Sequence, residues 1–565
     1  MATLRTHRLR WWLGGAIAAA LVAILAVVLL KPMLERAVRE RIESAAVRHG
    51  MVARIGSVRV GVWPFVRLTG FDLDLGHGTR LHADTIAVTW PGRVRLAVNA
   101  AHLSGPAGFT VNSPASAWYV AGTRGVNLQL TLIEPQTGLS IRELTDSAGS
   151  GWNVEVRGLD IGHLLEVQHE GSPLLEGGIA DGQVQLRTSA DALRFHVDIG
   201  ARGARFGTLS DDDGGESPLG DATDATLRFD GVLQRAEGTI EIPELHGTLA
   251  GADLSGSITL RDMATDPSVD LTLAVRQLEF GRLLGAAGLA VPESLGVAPG
   301  GSRDLGSASI EVAVKGSSSA PATLTVSQKI KFSPPAKMPP AISRLRRDFV
   351  FGTDDGPGPH RRVDVSPSSL DFIALRDVPP LFVRTLLLAE DAGFYGHGGI
   401  DLRELPSALL TNWSRGEAAR GASTISQQLA KNLFLSRDKE VGRKLQELAI
   451  TLLLESALDK DRILEIYLNI IEWGPDLRGL RPAASHYFDC EPQALTPAQM
   501  AFLVAIIPGP IKYQRSLARG TPSPGLRLLI DNLLAKLRSV EAIGEEEYQR
   551  AISEPIVVGG GRQPG

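Results

Sequence analysis

The sequence predicts a multi-domain protein with an N-terminal transmembrane helix, a β-rich central region and a mostly α C-terminal domain. Three observations lead there. At 565 residues the chain is too long for one hydrophobic core, so two or three domains are expected. Trp11 to Leu30 is an uncharged run rich in Ala, Val, Ile and Leu, long enough at helical rise to cross a bilayer. The spacing of apolar residues is two up to about residue 330 and helical beyond it.

Composition narrows the classes further. A hydrophobic content of 44% with 21% charged residues describes a folded chain rather than a disordered one. The net charge of -5 gives no reason to expect nucleic acid as partner. The single cysteine, Cys490, excludes an internal disulfide framework and a cysteine-rich zinc site.

Residues 1–10, which carry Arg5, Arg8 and Arg10, are expected on the cytoplasmic side, although Lys31 and Arg36 make the other flank basic too, so charge alone does not decide the orientation. Residues 11–30 form the expected anchor, with Trp11 and Trp12 suited to the interface. Lys31-Pro32-Met33-Leu34-Glu35-Arg36 follows where a signal peptide would show a small-residue cleavage site, so the anchor is read as uncleaved. Residues 31–54 form a juxtamembrane segment in which Glu35 to His49 has the pattern of a short amphipathic helix.

Residues 55–330 read as β-rich. Phe71 to Leu75, Leu193 to Ile199, Leu271 to Val275 and Ile310 to Val314 each alternate apolar with polar or small residues. Gly247 and Gly256 are expected at turns, and Asp211 to Glu216 as an acidic surface loop. With IGSVRVGVWPFVRLTGFDLDL following the anchor, this region resembles the AsmA-like envelope proteins, whose curved sheet presents an apolar groove to lipid chains. A β-sandwich spacer is the alternative reading.

Residues 331–345 hold four prolines within SPPAKMPPAISRL and are expected as a linker. Residues 346–555 read as a mostly helical domain, with apolar runs from Pro380 to Glu390 and from Leu445 to Leu458. Residues 556–565 read as a flexible tail.

The polar groups concentrate between Ala389 and Phe488. AEDAGFYGHGGID (389–401) is followed by GASTISQQLAKNLFL (421–435), RKLQE (443–447), KDRILEIYLNIIEWG (460–474) and PAASHYF (482–488). Taken in order with LTPAQMAFLVAIIPGP (495–510), these blocks resemble the successive motifs of the peptidoglycan glycosyltransferase domain, glycosyltransferase family 51, of the monofunctional biosynthetic transglycosylase type. The resemblance covers about 200 residues.

It implies a lysozyme-like fold for the helical domain and a lipid II polymerase that releases undecaprenyl pyrophosphate. The partners implied are lipid II, the undecaprenyl-pyrophosphate-linked glycan, the bilayer and other cell-wall synthesis proteins. The anchor would be single-pass in the cytoplasmic membrane, with the bulk of the chain periplasmic. Departures from the family's pattern, such as Arg478 and Arg481-Pro482, do not touch the candidate catalytic groups and bear on the acceptor side.

The chemistry asks for a base, cations for the leaving pyrophosphate, and a site beside the membrane. Glu390 closes the apolar run Leu386-Leu387-Leu388-Ala389, where lost water raises a carboxyl pKa towards a useful range, and is the candidate general base. Asp391, Phe394 and His397 stand at the family's spacing beside it and are assigned by resemblance to the substrate site. Ser423 and Thr424 read as helix caps, Thr424 foremost. Gln427 and Lys431 share one helix face, Gln428 and Asn432 the adjacent one, and the resemblance puts them with Ser423 against the sugar pyrophosphate. Arg443 and Lys444 flank Glu447, which the resemblance carries over as the second catalytic carboxylate, organising either the pyrophosphate or a divalent cation, Mg²⁺ or Mn²⁺. No organic cofactor is expected.

Asn469, Trp473 and Gly474 are expected to shape the cleft and Tyr467 to belong to the core; Leu402 to Trp413 reads either as a stretch that dips into the bilayer surface or as an ordinary core helix. Ser436-Arg-Asp-Lys439 matches SxxK by letters with no SxN or KTG after it, so no transpeptidase activity is expected. The rival reading is an envelope lipid-handling or scaffold protein that works through its β-rich region, with the helical domain as an interaction module.

Overall fold

The structure, a computed structural model, describes residues 35–559 except 49–50, 61–64, 77–78, 90–93, 105–108, 114–116, 122–126, 132–137, 147–148, 161–165, 170–171, 207–219, 263–265, 299–300, 318–323, 354–360, 405–422, 436–440 and 518–519. Among the described residues no helix is long and apolar enough to cross a membrane. The expected anchor at 11–30 lies outside them, as do the acidic loop, the SxxK match and most of the Leu402 to Trp413 stretch.

The chain separates into two compact units. The first comprises residues 1–250, 254–265 and 286–288, and the second residues 251–253, 266–285 and 289–565.

In the first unit, antiparallel strands follow one another from Val52–Val60 to Thr239–Leu249. The two-residue period decides which face is apolar. In the strand Thr223–Gln234, Asp224, Thr226, Arg228 and Asp230 are exposed while Ala225, Leu227 and Phe229 are half-buried. Register then aligns Val154, Val184, Val197, Phe229 and Leu245 in one row across five strands.

Gly247 and Gly256 lie inside strands rather than at turns. A Cβ on Gly247 would meet the Thr226 carbonyl at 2.6 Å, so close strand approach, not a bend, explains that glycine. The turn itself falls at Ala250 and Gly251, both at positive φ. The amphipathic segment expected before the sheet is a helix at 35–48. It lays Val38 and Ile42 on Ile55, Val58, Val66 and Leu68, and Glu35 accepts a hydrogen bond from the Val60 N–H at 3.0 Å.

The second unit opens with three antiparallel strands, β1 (Ser268–Glu279), β2 (Ser307–Ser317) and β3 (Thr325–Ser333). Between β1 and β2 lies α1 (Phe280–Ala286). The segment expected as a linker at 331–345 is packed: it contains α2 (Pro340–Arg344), and Ile342 and Leu345 are fully buried. The same core takes in Phe280, Leu284, Leu305 and Ala308 from the strand-rich part and the helices that follow.

Those helices are α3 (Pro380–Glu390), α4 (Ile425–Phe434), α5 (Val441–Ala457), α6 (Lys460–Ile470), α7 (Leu480–Phe488), α8 (Pro497–Ile506), α9 (Pro510–Leu517), α10 (Pro524–Ser539) and α11 (Glu545–Ser553). Proline at the first position starts α3 and α8, where its missing N–H costs nothing. Thr424 and Thr496 start α4 and α8 with capping boxes, and the Asp459 carboxylate caps α6. The helix α8 is apolar nearly all round and runs through the core. α3 and α5 match the apolar runs read from the sequence.

Candidate active site

Glu390 is the last residue of α3, and the helix stops there because Asp391 leaves helical geometry at φ -164°, ψ 76°. The Asp391 side chain is buried and ties two segments together. One carboxylate oxygen accepts from His397 Nε2 at 2.9 Å, the other from the Ile425 N–H at 3.0 Å. The Gly399 N–H donates to His397 Nδ1 at 3.0 Å, so the imidazole carries its proton on Nε2. The Thr424 hydroxyl donates to the Gly399 carbonyl at 2.5 Å.

Gly399 sits at φ +91°, and a Cβ there would lie 2.6 Å from Glu455 Cγ and 2.8 Å from Thr451 Cγ2. The loop after Glu390 is thereby fastened to the first turn of α4 and pressed against α5.

This fastening brings Gln428, one turn into α4, to Glu390. Gln428 Nε2 donates to Glu390 Oε2 at 2.8 Å, and the Tyr467 hydroxyl donates to Gln428 Oε1 at 2.9 Å. The chain of donors runs one way, from Tyr467 to the carboxylate. Burial raises the Glu390 pKa above the usual range, with the Gln428 hydrogen bond opposing, Asp391 adding to the rise and Lys431 opposing it. Tyr467 is fully buried, and its hydroxyl pKa is raised by burial and by the charges of Glu390 and Asp391.

Beyond Gln428 lies a cationic group. Lys431 has its ammonium pKa lowered, first by loss of water, while Glu447 pulls it up, Arg443 and Lys444 push it down and Glu390 pulls it up. Glu447, on α5, is buried and accepts a hydrogen bond from the Lys444 ammonium, which also lies 3.4 Å from the Ser423 hydroxyl. Ser423, Gln428, Lys431, Arg443, Lys444 and the two glutamates are thus gathered at facing parts of α3, α4 and α5, with Asn432 half-buried alongside on α4.

Other residues assigned to the substrate from sequence take internal roles here. Gln427 is buried, and its side chain accepts from the Thr424 N–H at 3.0 Å as the third residue of the capping box. Phe394 is fully buried, with the Lys460 ammonium 4.4 Å from its ring centre and the His397 ring edge-on at 6.4 Å. Asp391 and His397 are committed to each other and to backbone. Asn469 and Trp473 are buried. Asn469 accepts from Ile373 N–H and donates to the Ile373 and Glu465 carbonyls, and Trp473 donates to the Leu503 carbonyl from within the core. Arg478 donates to the Ile470 carbonyl, and Arg481 to the Leu370 and Phe372 carbonyls and, from Nε, to the Glu491 carboxylate at 2.8 Å.

Two features escaped the sequence reading. Tyr467 is core, as expected, but its hydroxyl also orients Gln428; a tyrosine on a buried helix face needs such a partner, and that was the available signal. Ser426 donates to Glu455, which Lys460 pairs at 2.7 Å, a link between α4, α5 and α6 with no spacing signature. Among the described residues no group of three or more His, Cys, Asp and Glu side chains converges to hold a metal.

The transglycosylase family model matches residues 360–523, the stretch that holds this cluster. A biosynthetic peptidoglycan transglycosylase from Nitrosospira multiformis is 46% identical over 151 residues, 27% of this chain and 65% of its own length. One from Nitrosomonas eutropha is 52% identical over 130 residues, covering 23% and 53%. One from Herminiimonas arsenicoxydans is 44% identical over 158 residues, covering 28% and 67%. The chain therefore belongs to the transglycosylase family through this domain. It spans between about half and two thirds of the length of these relatives.

Proposed function

We propose that the chain is a membrane-anchored peptidoglycan glycosyltransferase that polymerises lipid II into glycan strands and releases undecaprenyl pyrophosphate. The observation that carries this reading is a half-buried carboxylate, Glu390, held by the Gln428 amide next to Lys431, Arg443 and Lys444. The family match and the relatives' names support it.

In this reading Glu390 takes the proton from the 4-hydroxyl of the incoming lipid II. The hydroxyl oxygen bonds to the donor's anomeric carbon as the bond from that carbon to the pyrophosphate oxygen breaks, with inversion from α to β. A raised pKa suits a base near neutral pH, while the Gln428 hydrogen bond keeps it ionised. Lys431, Arg443 and Lys444 receive the charge that develops on the pyrophosphate. Glu447 holds Lys444 in place. A divalent cation at Glu447 would draw most of its ligands from substrate and water, since one carboxylate is available there and it already carries Lys444.

The anchor at 11–30, with a cytoplasmic N-terminus and a periplasmic body, would keep this site beside its lipid-linked substrate. A lysozyme-like helical domain and an AsmA-like β-rich region complete the proposed architecture. The test is glycan formation from labelled lipid II in detergent or vesicles, comparing the intact protein with Glu390→Gln. Polymer from the first and none from the second is expected; no polymer from a folded, membrane-inserted sample would turn the assignment towards lipid handling by the β-rich region.

A further inference from the structure

Strand β3 lies outside residues 360–523, which the family model matches, yet it reaches the loop that follows the candidate base. Along β3, Val326, Gln328, Ile330 and Phe332 are half-buried while Thr325, Ser327, Lys329, Lys331 and Ser333 are exposed. Ile330 and Phe332 pack on the helical core, Phe332 with its ring centre 6.2 Å from that of Phe280. Gln328 is the polar member of this inward row, and an amide there needs partners.

It has two. Gln328 Nε2 donates to the Ile400 carbonyl at 2.8 Å, and Gln328 Oε1 accepts from the Leu402 N–H at 2.7 Å. The side-chain amide thus pairs with the loop as a neighbouring strand's peptide group would. Ile400 follows directly on Gly399, which accepts from Thr424 and donates to His397; His397 holds Asp391; Asp391 adjoins Glu390 and caps α4, which carries Gln428 and Lys431.

We infer that Gln328 is a positioning residue for the active site, and that strands β1–β3 are part of the catalytic unit rather than an appendage before it. The inference rests on the transglycosylase reading of the site. Freed from Gln328, residues 399–402 lose their support on the β3 side, and the His397–Asp391 link that sets Glu390 against Gln428 loosens.

The experiment uses the full-length chain in detergent. Gln328→Leu completes the apolar row and removes both hydrogen bonds; Gln328→Glu keeps an acceptor for the Leu402 N–H and sets a carboxylate against the Ile400 carbonyl. Amide hydrogen exchange at residues 399–402 is read beside kcat and KM for lipid II polymerisation. Expected for Gln328→Leu is an unchanged global melting transition, faster exchange confined to 399–402 and the start of α4, and a kcat lowered about tenfold with KM nearly unchanged. Gln328→Glu should fall between it and the unaltered protein.

Unchanged exchange at 399–402 with unchanged kcat in Gln328→Leu would overturn the inference. So would global loss of protection in both variants, which would make Gln328 a folding residue. If the unaltered protein forms no polymer, the transglycosylase reading fails on that count alone, while the exchange data still decide whether Gln328 holds the loop.

Discussion

Replacing Gln428 with leucine tests how the candidate base is kept ionised. The substitution removes the 2.8 Å hydrogen bond to Glu390 and leaves the bulk of the side chain in place. A hydrogen bond to a charged group is worth about 1.5–3 kcal/mol. The protonated carboxyl still accepts this bond, more weakly, so only the difference between the two states moves the titration, and the ionised fraction of Glu390 on its acid side falls by at most roughly 10- to 100-fold. The sign is fixed by the role: a general base works ionised, and losing a donor to its carboxylate raises a pKa that burial already raises.

In kcat/KM for lipid II polymerisation followed across pH, the acid limb therefore moves to higher pH, while the rate at alkaline pH changes little. Tyr467→Phe, which only frees the Gln428 amide to turn, should move the limb in the same direction by less. The double variant should add little to Gln428→Leu, because both act on one chain of donors. An acid limb that stays in place, or that moves to lower pH, would refute the reasoning.

Three further outcomes follow from the geometry. Lys431→Gln removes a cation beside Glu390 and Glu447, and kcat should fall by about 10²–10³ in the same assay with the fold intact by circular dichroism. Gly399→Ala forces a side chain into positive φ against Glu455 and Thr451, and a loss of about 2–4 kcal/mol in denaturant unfolding is expected. Asp401 is held below the usual carboxylate range by its hydrogen bonds to Arg403, so its contribution to stability is present above that range and is lost as pH falls through its lowered pKa. Melting temperatures of the protein and of Asp401→Asn should thus differ at pH 7 and converge only as pH falls below the usual carboxylate range.

Much of the fold was legible because each signal was local. Alternation marked the strands at Leu193 to Ile199 and Ile310 to Val314, and Thr424 was readable as a cap from its type and position. Motif order pointed to Glu390, Lys431 and the Arg443–Glu447 face. What sequence spacing hid was burial. Gln427 and Lys431 share a face at four-residue spacing, yet a glutamine third after a threonine cap turns back to the backbone. Lys444 and Glu447 have the spacing of an ordinary surface pair, and only tertiary packing closes over Glu447. Phe394 and His397 look like ligand contacts in a motif, but aromatic rings near a catalytic loop serve equally well to wedge it in place. The proline-rich stretch before the helices looked like a linker, since nothing local shows that Ile342 and Leu345 are covered. Gln328 was silent for a similar reason: one polar residue in an alternating strand shows its purpose only when the loop at 400–402 is set beside it.

The most direct measurement counts both products of one reaction. With labelled lipid II and the intact protein in vesicles, glycan linkages formed and undecaprenyl pyrophosphate released are quantified together, for the protein and for Glu390→Gln. One lipid pyrophosphate per β-linkage, with both products lost together in a folded Glu390→Gln, is what the account predicts. Equal turnover by Glu390→Gln would contradict Glu390 as the base, and no linkage from the intact protein would contradict the glycosyltransferase assignment itself.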